Sequence, residues 1–403
     1  MGLSDALPKN AFNVATAINN FFNIGSTLPR NFGNLFFLTD GNLSNALSQL
    51  SGEAATGAQQ PAFQLMNQFL GIILDPFVDG RNGIGGVGGG AVGFAPEREE
   101  LPEDIALAYS KVLRTPVYKG PLFEQRWSVW GAGYGGYNRT SGDPVVLGSH
   151  DLTARIAGSA AGLDYRIAPG TIVGFALAGG GTGWSLAQGL GSGSSDAFQA
   201  GVYAKTYSGP FYLAGALAYT QHWMSTDRIA FAGDRLQASF NAESFGGRAE
   251  AGYRIPGVLG AITPYAAVQA QNFHTPTYSE TDVSGVGFGL TNNARNATDT
   301  RSELGARYDK LVLLNYGTVL AWRAKVAWAH DWVTDPSVMP VFEALPGASF
   351  IVNGATPAKN SALTSAGAEL RFINGVSLLA KFDGEFAAHS QTYAGTGTVR
   401  YVW

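Results

Sequence analysis

Cysteine is absent from the 403 residues, and only 14% of them are charged. Without thiols there is no disulfide framework and no thiolate metal site, and the chain can cross an oxidising compartment without mispairing. Lys and Arg number 26 against 30 Asp and Glu, for a net charge of −4 with no basic cluster, so nucleic acid is not an expected partner. Long apolar runs are missing as well. The stretch Leu70 to Leu74 is among the longest and falls far short of the roughly 20 residues a spanning helix needs. The start, Met1-Gly-Leu-Ser-Asp-Ala-Leu-Pro8, has neither the charged beginning nor the apolar middle of a secretory signal.

What the chain does have is glycine, 54 residues of it, with 12% aromatics and 45% apolar residues. That balance points away from helical bundles and toward β-structure. Residues 1–60 are rich in Asn, Gly, Leu and Phe, as in Asn31-Phe-Gly-Asn-Leu-Phe-Phe-Leu-Thr-Asp40. Short apolar runs broken by turn residues predict a β-rich segment there, either the last rungs of a β-solenoid or an irregular cap. From Pro61 to Asp75 the residues Phe63, Leu65, Met66, Phe69, Leu70, Ile72 and Ile73 recur at helical spacing and Pro76 ends the pattern. This amphipathic helix is expected to pack on the preceding β-structure; a membrane-surface role is the alternative.

Gly83, Gly85 and Gly88 form a G-x-G-x-x-G within residues 80–93. A dinucleotide site would need a strand before it and a βαβ unit after it, which the sequence lacks, so this stretch reads as a linker. A second helix is predicted over Pro102 to Arg114, acidic after its proline and basic at its end, in accord with the helix dipole.

From Arg126 onward the period becomes two. In the last strand Tyr393, Gly395, Gly397, Val399, Tyr401 and Trp403 share one face, opposite Thr396, Thr398 and Arg400. Upstream, Leu304 and Tyr308 oppose Glu303 and Arg307, Trp322, Val326 and Trp328 oppose Arg323 and Lys325, and Phe245 and Tyr253 oppose Arg248, Glu250 and Arg254. In the first strand Trp127 and Val129 read as outward while Trp130 and Tyr134 face in. Alternation alone fits a soluble sandwich as well as a membrane barrel. Loop lengths favour the barrel. About twelve strands are joined alternately by short turns (Ala168-Pro-Gly170, Ser208-Gly-Pro210, Pro256-Gly257, Leu311 to Asn315, Asn374-Gly375) and long loops (Asn138 to Ser149, Ala187 to Ser195, Thr275 to Asp299, Trp332 to Asn360). The fold class is therefore all-β, an antiparallel transmembrane barrel of about twelve strands with both ends on the periplasmic side.

Each Arg or Lys turned into lipid near the midplane would cost about 2–4 kcal/mol. The charged face must then line the lumen: Arg248, Glu250, Arg254, Glu303, Arg307, Arg323, Lys325, Glu369, Arg371, Lys381, Asp383, Glu385 and Arg400. About twelve strands leave a bore of roughly 10 Å, one helix wide. The 102–114 helix, with Pro102, Ile105, Tyr109 and Arg114, is expected to fill it. An outer-membrane protein must be exported, so the sequence is expected to be a piece of a longer chain with a signal peptide and an upstream domain.

Four segments carry a resemblance. Leu50-Ser-Gly-Glu53 with Leu74-Asp-Pro76 resembles a junction between passenger and translocator, and Phe123-Glu-Gln-Arg-Trp127-Ser-Val-Trp-Gly131 an opening strand. Leu345 to Ala355 resembles the long loop before the tenth strand, and Tyr401-Val-Trp403 a terminal assembly signal. In this order they resemble the C-terminal translocator of autotransporters, the type V secretion family. The resemblance implies delivery of the N-terminal passenger to the cell surface, a monomer in outer-membrane lipid, and partners in the barrel-insertion machinery and periplasmic chaperones. It implies that Val399, Tyr401 and Trp403 form the assembly signal, and it implies no cofactor. One subset of the family cleaves itself at paired Asn residues in the lumen helix; Pro102 to Arg114 has none, so no cleavage is expected there.

Catalysis and metal binding find little support. His150-Asp151 and His330-Asp331 could each be part of a hydrolytic site, but no nucleophile motif accompanies them and the histidines lack ligand spacing. The domain organisation expected is a β-rich passenger remnant over 1–60, a junction and linker over 61–125, and a barrel over 126–403. The competing readings are a porin, which needs no 125-residue preface, and an enzymatic barrel of the omptin type, which needs acids and histidines clustered at the outer rim.

Overall fold

The structure, a computed structural model, describes residues 7–75, 126–168, 170–314 and 318–403. The barrel strands are β1 (Trp127–Thr140), β2 (Leu152–Ala168), β3 (Thr171–Leu186), β4 (Ser192–Ser208), β5 (Phe211–Ala230) and β6 (Asp234–Tyr253). They continue as β7 (Gly260–Thr275), β8 (Arg295–Leu313), β9 (Val319–Val333), β10 (Asn360–Arg371), β11 (Val376–Ala387) and β12 (Ser390–Val402). Each is antiparallel to its neighbour, and β1 pairs with β12 from Ser128↔Val402 to Thr140↔Ser390, which closes the ring of twelve. Closure leaves no unpaired edge, the condition for a sheet in lipid.

The face assignment follows the alternation. Leu304, Trp322, Val326, Trp328, Val399 and Tyr401 are exposed on the outside, while Arg307, Arg323, Glu369 and Arg400 are buried inside. Trp130 and Tyr134 point inward, Trp127 and Val129 outward. Connections at one end are tight, including Ser208 to Phe211 and the Asn374-Gly375 turn, where Gly375 takes φ 87°. At the other end are 141–151, 276–294 and 334–359, so this is the outer end. One expected long loop is shorter than read: β3 runs to Leu186 and β4 starts at Ser192, because Gln188 and Gly189 at positive φ (61° and 69°) reverse the chain at once.

The β-rich expectation for residues 1–60 is overturned. The described residues there form α1 (Lys9–Asn23), α2 (Arg30–Gly33) and α3 (Asp40–Leu50), with 3-10 turns at Asn34–Phe37 and Glu53–Ala58. Val14, Ala15 and Ile18, and Leu43, Ala46, Leu47 and Leu50, each make a buried stripe at helical spacing. Proline and glycine here serve as helix boundaries: Pro8 and Pro29 stand just before α1 and α2, and Gly25 at φ 86° follows the end of α1. The three helices share a core with the outer loops, where Phe32 packs edge-on against Phe288 and Phe342 at 4.8 and 5.2 Å. Lys9 and Asn10 give their N–H groups, unsatisfied at a helix start, to the carbonyls of Val146 and Leu147 in the first outer loop. A helical cap thus sits on the outer mouth.

Candidate functional site

The fourth helix, α4 (Gln59–Ile73), occupies the bore. Its expected packing on an N-terminal β-structure is therefore corrected: the apolar stripe finds its partner in the barrel wall. Leu65, Met66, Phe69, Leu70 and Ile73 are fully buried in one cluster with Trp130, Tyr134, Tyr203 and Tyr212. Small wall residues let the helix come close. A Cβ at Gly201 would stand 2.9 Å from Phe69 Cε1, and one at Gly246 2.8 Å from Met66 Cγ. Pro61 lies in the first turn, where its missing N–H costs nothing. Residues 102–114, expected to fill the bore, lie outside the described residues, and with them Pro102, Ile105, Tyr109 and Arg114.

The direction of α4 is set at both ends. Near its start, Gln59 Nε2 donates to the Thr334 carbonyl of a long outer loop at 2.8 Å, and Trp184 Nε1 donates to the Ala54 carbonyl at 2.9 Å. Just past its end, Asp75 pairs with Lys381 in the middle of β11 at 3.2 Å. The chain therefore enters from the outer side and descends toward the end where β1 begins.

The segment Leu50 to Ala58 is wedged into the mouth. Buried Glu53 takes both the backbone N–H and Nδ1 of His150 at 2.7 Å. Arg228 clasps Glu280 through Nε (2.7 Å) and Nη2 (2.6 Å) while donating to the Gln49 carbonyl at 2.9 Å. A Cβ at Gly57 would strike the Trp184 ring.

The opposite wall, on β6 to β12, carries the predicted lumen charges. Arg307 grips Glu250 at 2.6 and 2.7 Å, Arg248 joins Glu250 and Glu303 at 2.9 Å each, and Lys325 lies 3.6 Å from Glu303. Arg323 pairs with Glu369, and Arg371 reaches the same carboxylate at 3.2 Å. Lys381 bridges Asp383 and Asp75, Arg254 meets Asp309 at 2.5 Å, and Glu385 meets Arg301 at 2.6 Å. Arg400 pairs with Asp164, which also accepts from Tyr203 and from Ser128 at 3.0 Å. Every predicted lumen charge thus has an opposite charge beside it, as burial requires. Between this wall and the polar face of α4 (Gln64, Asn67, Gln68) runs a cavity of about 170 Å³.

Sequence reasoning missed the partners. Arg301 and Asp331, paired at 2.6 Å, escaped the charge pattern, and so did Asp164 and Asp75. The first pair and Asp164 have a signal in the inward parity of their strands; Asp75, after a helix, has none. The two His-Asp dipeptides separate: His150 goes to Glu53 and Asp151 to Arg139 at 3.0 Å. His330 faces outward beside Trp332 and bonds Asn360 at 2.9 Å, while Asp331 points in to Arg301. Val399, Tyr401 and Trp403 are outward and exposed, with the last two rings stacked at 5.6 Å. The single asparagine of α4, Asn67, accepts from Gln269 and Gln271 and is followed by Gln68.

No curated protein sequence matches this chain. Among solved structures, the translocator domain of autotransporter NalP from Neisseria meningitidis superposes with a TM-score of 0.55 at 18% identity, covering 74% of this chain and 96% of that one. The beta domain of the Bordetella autotransporter BrkA gives a TM-score of 0.53 at 16% identity over 68% and 99%. Such likeness establishes the fold. The Autotransporter beta-domain family matches residues 129–383, more than half of the chain, so this outer-membrane barrel belongs to the autotransporter translocators, which deliver a passenger to the cell surface by type V secretion.

Proposed function

We propose that α4 is the trailing end of the delivered passenger, held in the bore after transit, and that residues 7–58 are the passenger stub seated on the outer mouth. The observation that carries this reading is the direction of α4. Its start is tied to an outer loop and its end to mid-wall Lys381, so the described residues before Gln59, 7–58, lie toward the outer side. The apolar wall fixes the helix, and the charged wall gives the backbone and polar side chains of a passing chain a hydrated partner with little to grip. The domain organisation proposed is a helical stub and cap, a bore helix with the segment after it, and the barrel. Val399, Tyr401 and Trp403, an exposed apolar row ending in two aromatic rings at the closing strand's end, serve as the signal read by the insertion machinery, with periplasmic chaperones acting before it. The barrel works as a monomer in outer-membrane lipid.

The test is topological. The chain is placed behind a secretory signal, an epitope tag is set before Lys9, and intact cells are probed with antibody and added protease. The tag should be reachable from outside. A tag reached only after the outer membrane is opened, with the barrel folded by its mobility in unheated electrophoresis, would refute the reading.

A further inference from the structure

One corner of the bore, at its outer end, holds oxygens to which the protein gives no donor. Asp299 on β8 stands directly opposite Gln271 on β7, and Gln59, the first residue of α4, reaches the same place. Gln59 Nε2 donates to the Thr334 carbonyl at 2.8 Å, and the Thr334 N–H donates at 2.8 Å to the carbonyl of Thr298, the residue before Asp299. Gln271 Nε2 donates to Asp299 Oδ2 at 2.9 Å and to Asn67 Oδ1 at 3.0 Å. These bonds fix both amides, because turning either one over would set its oxygen against another oxygen. What remains is Gln59 Oε1, Gln271 Oε1 and Asp299 Oδ1. All three lack a hydrogen-bond partner and are closed to solvent, on residues only 4%, 5% and 6% exposed. A buried acceptor without a donor is costly, and three at one corner call for a shared partner.

The local charge has the matching sign. Asp299 and Gln59 line a cavity of about 70 Å³ together with Arg301, Asp331 and Glu385, three acids against one base. Arg301 turns Nε and both Nη atoms to Asp331 and Glu385, at 2.6 to 3.2 Å, and does not pair with Asp299. Along the deeper cavity beside α4 the acids and bases balance, five of each. The excess negative charge of the bore therefore belongs to this corner.

A proton on Asp299 would serve one of the three oxygens and leave the others. Water approaches an oxygen to about 2.8 Å and is too large to touch atoms closed to it. A bare calcium ion bonds at about 2.3–2.6 Å, takes carboxylate and amide oxygens together and tolerates irregular geometry, whereas magnesium keeps its waters and demands an octahedron. Among the described residues no three acids or histidines form a metal-binding group, so amide oxygens would complete the set, with an affinity of about 10⁻⁴–10⁻³ M. We propose that Asp299 Oδ1, Gln271 Oε1 and Gln59 Oε1 bind one calcium ion at the outer end of the bore. The ion ties the first residue of α4 to β7 and β8, and so locks the start of the helix to the wall it otherwise touches with few direct bonds.

The test uses the full chain in dodecyl maltoside micelles without lipid, and follows thermal unfolding by circular dichroism at constant ionic strength. Calcium added to chelator-treated protein should raise the midpoint by about 2–4 °C and saturate as for one site. Asp299→Asn should lose this rise. So should Gln59→Met, which keeps the side chain's length and carries the test if the first variant fails to fold. Asp282→Asn, which removes a carboxylate of the outer loops, should keep it. No rise with calcium would overturn the proposal and leave these oxygens to a proton or to water. An equal rise with magnesium or sodium would overturn it as well, and so would a rise that survives in Asp299→Asn and Gln59→Met but vanishes in Asp282→Asn.

Discussion

The two walls of the bore hold the same helix by opposite means. On the β1 to β6 side, Trp130, Tyr134, Tyr203 and Tyr212 and the glycines at 201 and 246 receive Met66, Phe69, Leu70 and Ile73. On the other side the carboxylates and guanidinia are occupied with one another, and the helix meets them across a cavity with few direct bonds. The difference separates two requirements. The apolar wall gives α4 its rotation and depth, because a stripe of five large side chains fits only one way. The charged wall keeps the barrel open: its ion pairs brace strands that have no core between them, and it needs no helix to satisfy them.

That division predicts unequal responses. The largest effect belongs to the ion-pair wall. Glu250→Ala strips a carboxylate from both Arg307 and Arg248 and leaves Tyr212, which donates to it at 2.7 Å, with one acceptor fewer. Removing one partner of a buried pair costs about 3–5 kcal/mol, so the temperature at which the barrel loses its compact electrophoretic mobility should fall markedly. An unchanged temperature would mean that α4, and not the pairs, braces this wall. Next comes the cradle. Gly201→Leu drives a side chain into Phe69 and Ile73, and overpacking of this kind costs about 1–3 kcal/mol. The barrel should fold while protease cuts α4 faster, and equal cutting would show that the helix does not depend on this contact. A smaller effect is expected on the polar face. Gln64→Ala, beside the cavity, should change either readout by less than about 0.5 kcal/mol, as at a hydrated site; a loss as large as that of Gly201→Leu would erase the contrast between the walls.

The same contrast explains what could be read from sequence. Barrel, strand faces and inward charges were legible because a wrong parity at Arg323 or Lys325 would place a charge in lipid, and no other contact could offset that. Partners were not: the pattern shows that Glu250 faces in, but the bidentate grip of Arg307 comes from β8, two strands away in the ring. The helix at 59–73 was legible as a helix, and its place was not. Amphipathicity says that Phe69 and Leu70 are buried without saying in what. Residues 9–50 were misread because Asn and Gly were weighed as turn formers, although Leu43, Leu47 and Leu50 keep a helical period through Asn45 and Ser48. There local composition competed with periodicity, and periodicity decided.

Acidification should distinguish the cap from the wall beneath it, with the smallest effect of the four. In the outer loops, Asp282 sits below the ordinary carboxylate range: burial works against its charge, but hydrogen bonds from the Asp234 side chain and from the Gly285 and Gly287 N–H groups prevail. Asp151 is held low by its hydrogen bond from Arg139 and then by the Gly142 N–H. A folded value below the unfolded one, about 3.9 for Asp, stabilises the loops above that pH, and the contribution is lost as pH falls through the folded values. Both carboxylates are partly exposed to solvent, which screens their interactions, so their effect is modest. Between pH 7 and about pH 3, amide exchange in 141–151 and 281–287 should quicken while β-structure measured by circular dichroism stays constant. Exchange that quickens equally in β8 and β9 would show that cap and wall titrate as one unit, and the separation of roles drawn above would fail.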